Sequence, residues 1–125
     1  TLYSTASATV MIPRTDLLAM SLLECLACGS LPILADLPCY RRAAVDIDEE
    51  ESPGLARALF APEVTEEGMI AAFRRWDTLE KPRRNEIAQH NISVIADHQD
   101  WDHRAPEMID VYEQAIQLKK SSGPV

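Results

Sequence analysis

A chain of 125 residues, 46% apolar and 26% charged, suits one domain with a real core. Its formal net charge of −8 excludes a phosphate-backbone binder, because nucleic-acid affinity comes from Lys and Arg displacing counterions. No apolar run reaches membrane-spanning length and no basic-then-apolar leader opens the chain, which starts at Thr1 and is read as a processed product or an excised piece.

Residues 1–7 read as the tail of a helix. Ala8 to Ile12 form a β-rich run stopped by Pro13, and a continuous apolar run of this kind predicts a strand buried on both faces of a parallel sheet. Leu18, Leu22, Leu23 and Leu26 then recur at helical spacing, and Gly29 stands where a left-handed stop belongs. Leu31 to Ala35 is the next strand, ending at Asp36, so the order is a βαβ unit with a parallel crossover. Residues 46–52 are acidic and predict a solvated, mobile loop. A further short strand is expected over Arg57 to Ala61.

Thr65 can cap a helix running to Trp76, with Glu66 and Glu67 in its positive first turn and Met69, Ile70 and Phe73 as its buried stripe. Pro82 fits the first turn of another helix, with Ile87, Ala88, Ile92 and Ile95 on one face. Pro106 is expected to open the last helix, where Met108, Ile109, Tyr112 and Ile116 line up. The prediction is a single α/β domain: a βαβ portion over 1–62, a helical portion over 63–118 and a polar tail over 119–125. Two or three parallel strands leave exposed edges. Strands preceding Thr1, or a second copy of the chain, are the expected remedies.

Three cysteines are an odd number, which fits buried thiols in a reducing compartment. Cys25 and Cys28 lie near the carboxyl end of their helix, where the dipole opposes the thiolate a redox pair needs. Asp97, His98, Asp100, Asp102 and His103 show no metal-ligand spacing, and no metal is expected. His90 reads as a helix-surface residue, and Trp76 and Trp101 as packing anchors.

Asp16, seven intervening residues and Glu24 are followed by Cys25-Leu26-Ala27-Cys28-Gly29, Leu31-Pro32-Ile33-Leu34 and Asp36-Leu37-Pro38. This run resembles the donor-site motif of group 1 (family four) retaining glycosyltransferases. There a paired acid precedes an Ala-Met-Ala-Cys-Gly segment, a strand and Ser-Asp-Leu-Pro. Asp100-Trp101 before a helix carrying Tyr112 is similar to the segment that closes the C-terminal domain of these enzymes. The resemblance implies a partial Rossmann-like domain, the C-terminal half of a two-domain glycosyltransferase B fold, followed by C-terminal helices.

It also implies a nucleotide-diphosphate sugar as donor substrate, no separate cofactor, and transfer to a glycan, lipid or small-molecule acceptor, as in polysaccharide biosynthesis. Asp16 and Glu24 would be the catalytic acids, Asp16 on donor-sugar hydroxyls and Glu24 also on the ribose. Ala19, Met20 and Ser21 would hold the diphosphate at the helix start. The missing N-terminal portion of the enzyme would be a partner, and the location cytoplasmic or on the cytoplasmic face of the membrane. This chain alone should not be catalytic. It departs from the pattern with bulky Leu17, Leu18 and Met20 beside Ala19 after the first acid, and with Arg42 where many relatives carry Glu. A non-catalytic scaffold or oligomerisation module of the same fold is the alternative, and a nucleotide-sugar epimerase a weaker one.

Overall fold

Strand alternation sets the layering of this α/β chain. The computed structural model describes residues 2–17, 19–49, 55–99 and 101–123. It begins with a short helix α1 (Leu2–Thr5), strand β1 (Ala8–Met11), helix α2 (Met20–Ala27) and strand β2 (Leu31–Ala35). There follow helix α3 (Pro38–Ala43), strand β3 (Ala44–Asp46), strand β4 (Ala56–Ala61) and helices α4 (Glu66–Thr78), α5 (Lys81–Gln99) and α6 (Trp101–Ser121). The strands form one four-stranded parallel sheet in the order β1-β2-β4-β3. This arrangement is consistent with a Rossmann-like fold.

Every residue of β2 and β4 is buried, as expected of central parallel strands covered on both faces. Leu34, Ala56, Ala58 and Phe60 pack with Leu22, Leu26 and Tyr40 on one face. Leu31, Ile33, Leu59 and Ala61 pack with Ala72 and Ile87 on the other. Helix α5 serves both cores, because Ile87 joins the second while Val94 and Ile95 flank the first. Midway along it, the buried Asn91 amide meets the backbone of β4. Its Oδ1 accepts from Arg57 N–H at 2.6 Å and its Nδ2 donates to Arg57 C=O at 2.9 Å. The β2–β4 ladder starts only at Ile33 and Leu59. Asn91 therefore satisfies the strand groups that precede it.

Several sequence expectations hold. The β1–α2–β2 crossover is parallel. Gly29 ends α2 with φ +75°, and Thr65 Oγ1 accepts from Gly68 N–H at 3.1 Å to cap α4. Others are corrected. β1 is an edge strand, half-buried rather than covered on both faces, and its Val10 is 42% exposed. α3 and β3 were not anticipated. Pro38 starts α3 within its first turn, and the helix is too short to show periodicity. Asp46 is no loop residue but a buried strand residue. Leu18, residues 50–52 of the acidic run and Asp100 lie outside the described residues.

The buried stripe of α4 is Gly68 and Ala72, with Met69 and Trp76 packed against the core, whereas Ile70 and Phe73 face outward. At Gly68 there is no room for a side chain against the turn that precedes the helix. A Cβ on Gly68 would stand 2.1 Å from the Glu63 carbonyl oxygen. Pro106 lies inside α6 rather than at its start. As the sixth residue of α6 it lies beyond the N–H groups that lack intrahelical partners, so it removes one i→i−4 bond of the helix. His90 is half-buried, and its Nε2 donates to Leu55 C=O at 2.9 Å. Among the described residues, no helix is long and apolar enough to cross a membrane.

Candidate functional site

All four strands run parallel, so the loops after β1, β2, β3 and β4 leave one edge of the sheet, where ligands bind in open α/β folds. Asp16 sits in the loop after β1, half-buried. Its Oδ1 accepts from Leu17 N–H at 2.7 Å, and its Oδ2 accepts from the Tyr40 hydroxyl at 2.9 Å. Leu17 is 86% exposed and does not plug the space beside the acid.

The chain enters α2 through Ala19, which holds φ 51° and ψ 30°. A left-handed residue here turns the loop sharply into the helix, and its carbonyl accepts the first helical bond, from Leu23 N–H at 3.1 Å. No side chain among the described residues caps α2, and its first turn carries no acid. The backbone N–H groups at Met20 and Ser21 are thus presented at the positive end of the helix. Met20, Ser21, Glu24 and Ala27 form the exposed face of α2, at i, i+1, i+4 and i+7. Glu24 stands about 6 Å along the axis from Met20 at the usual helical rise.

Tyr40 was not among the residues singled out from the sequence. It lies two positions after Pro38, is 2% exposed, and reaches back to Asp16 from α3. The available signal was an aromatic hydroxyl just beyond the carboxyl end of a strand. Burial and the Asp16 carboxylate push its pKa well above the ordinary tyrosine value. The Asp36 of the Asp-Leu-Pro run is occupied differently. Arg41 grips it with Nε on Oδ1 at 2.7 Å and NH2 on Oδ2 at 3.2 Å, which holds its carboxyl below the usual range. Arg41 also bonds Glu49 at 2.8 Å and lies 3.9 Å over the Phe60 ring.

A second charged cluster joins β3 to α4. Arg75 bonds Asp46 and Asp48, and its NH1 donates to Asp46 Oδ2 at 3.1 Å and to Phe60 C=O at 3.2 Å. Asp46 also accepts from Asp48 N–H at 3.1 Å and Phe60 N–H at 2.9 Å. Burial alone would raise the Asp46 pKa, but these bonds and the Arg75 charge outweigh it and lower it. The Cys25 thiol is buried and donates to Ser30 C=O at 3.3 Å, and burial raises its pKa, the reverse of an activated thiol.

A groove of about 620 Å³ lies between the start of α2 and α6. Met20, Leu23, Met108, Val111 and Tyr112 line it, and the Arg104–Glu107 pair, 3.1 Å apart, also borders it. Its lining is mostly apolar, and it contains neither Asp16 nor Glu24. Asp16 lies in the half-buried loop before α2 and Glu24 on the exposed face of α2, both outside the lining of this groove. Comparison with protein-family models, with curated proteins and with solved structures returns no match.

Proposed function

We propose that the chain forms the donor-binding part of a retaining glycosyltransferase, taking a nucleoside-diphosphate sugar and passing its sugar to a glycan, lipid or small-molecule acceptor. One observation carries the reading: a single βα unit bears Asp16 in its loop, an uncapped helix start at Met20 and Ser21, and Glu24 on the exposed face of that helix. Each part suits one part of a donor. Backbone N–H groups at a helix start favour a diphosphate. A carboxylate one turn further in accepts both hydroxyls of a ribose, and a loop carboxylate accepts those of the sugar. Such a site works by orienting the sugar and steadying the departing diphosphate, which is positional and electrostatic catalysis.

Calorimetry with UDP-, GDP- and ADP-linked sugars tests this. The chain should bind at least one, and Glu24→Ala should weaken that binding on the order of 100-fold, the loss of two hydrogen bonds to a charged acceptor. Unchanged affinity removes Glu24 from the site. A second reading, a non-catalytic assembly module, is favoured by the bare apolar face of α6, where Met108, Ile109, Val111, Tyr112, Ile116 and Leu118 are all exposed. It requires a stable oligomer in light scattering together with no nucleotide binding.

A further inference from the structure

We infer that Tyr40 is a positioning residue for the donor sugar: its hydroxyl fixes the Asp16 carboxylate so that the acid meets the sugar's hydroxyls in a single orientation. The inference rests on the donor-site reading and names a residue that reading does not contain. A carboxylate in a loop ordinarily swings about its side-chain bonds. Here both oxygens are held, Oδ1 by Leu17 N–H at 2.7 Å and Oδ2 by Tyr40 O–H at 2.9 Å. Two donors on two oxygens fix the plane of the group as well as its position.

The donors differ in what holds them. Leu17 N–H belongs to the same loop and moves with it. The Tyr40 ring is locked in the core with Leu22, Leu26, Leu34 and Phe60, and is 2% exposed. Ala19, the left-handed residue that turns the loop into α2, lies in the same core cluster. Tyr40 thus ties the acid to the packed interior that also seats the helix start. A carboxylate oxygen accepts more than one hydrogen bond, so the tether is compatible with a sugar hydroxyl on the same oxygen. Preorganisation of this kind favours binding because the ordering is complete before the ligand arrives.

A tyrosine that merely satisfies its own buried hydroxyl affects all ligands alike, whereas a positioning residue for Asp16 affects only the sugar. Calorimetry on the full chain separates the two. The probes are UDP, GDP and ADP beside UDP-glucose, GDP-mannose and ADP-glucose, and the quantity read is the affinity ratio of each sugar form to its free diphosphate. Tyr40→Phe should lower that ratio severalfold, up to about tenfold, the cost of ordering a freed side chain on binding, and leave the diphosphate affinity unchanged.

Asp16→Asn should lower the ratio at least as far, and the double variant no further than Asp16→Asn alone, since both substitutions break one linkage. An unchanged ratio in Tyr40→Phe, strictly additive losses, or equal weakening of both ligand forms overturns the inference while leaving the donor site standing. If the wild-type chain binds none of the six ligands, the donor-site reading falls and this inference with it. Thermal melts establish that each variant is folded. Should Tyr40→Phe fail to fold, Asp16→Asn decides, because an unchanged ratio there leaves the tether nothing to act through.

Discussion

Ala19 pays a conformational penalty that a glycine would escape. At φ 51° an L side chain crowds its own backbone, a cost of about 1 kcal/mol. Its methyl is buried, and losing it costs a similar amount, about 0.8 kcal/mol. Ala19→Gly should therefore leave the urea midpoint nearly unchanged. Ala19→Val, with a branched Cβ forced into the same backbone and a full core around it, should lose more than about 2 kcal/mol. Gly29→Ala should cost about 1–2 kcal/mol in the same assay, because φ is +75° and the new Cβ would lie 3.0 Å from Ile92 Cδ1. At this scale the sequence was partly legible. Gly29, Asp16 and Glu24 declare themselves by spacing within one segment. Tyr40 does not, because its bond to Asp16 spans 24 positions and exists only once β1 and β2 lie side by side.

The element-scale lesson comes from β3 and α4. An acidic run reads as a solvated loop, yet Ala44 and Asp46 alternate inward, and Asp46 meets Arg75 from the inner face of α4. No local pattern announces a buried acid whose charged partner is an arginine 29 residues later. In α4 itself the buried stripe is Gly68 and Ala72, while Phe73 is 46% exposed. Arg75→Ala should cost about 3 kcal/mol by stranding a buried carboxylate, toward the low end for such pairs because Arg75 is itself 30% exposed. The pH dependence has a definite sign. The folded pKa of Asp46 lies below its unfolded value. Its stabilising contribution is therefore complete above about pH 4 and lost as pH falls through the folded pKa. Asp46→Asn should flatten the acid limb of a stability–pH curve measured by denaturant titration.

For the whole molecule, surface apolarity outruns what one domain needs. The exposed apolar residues of α6 occupy one half of the helix surface, with Asp110, Glu113 and Gln117 on the other. Ile109→Ser with Tyr112→Ser should shift the melting temperature little, since both side chains are more than half exposed. Any self-association seen by light scattering should fall in the same variant. The α/β class and the first βαβ unit were legible at this scale from periodicity and turn residues, whereas α3 and β3 were not. The edge position of β1 was not, since pairing partners are a property of the assembled sheet.

Asn91 has a kinetic corollary. Its amide bolts α5 to Arg57, and α5 touches the cores on both sides of the sheet. Neither side can loosen alone without first drawing that bolt. Deuterium uptake at amides of β2, β4 and the middle of α5 should then proceed through one shared opening event, with Asn91→Ala splitting it into two.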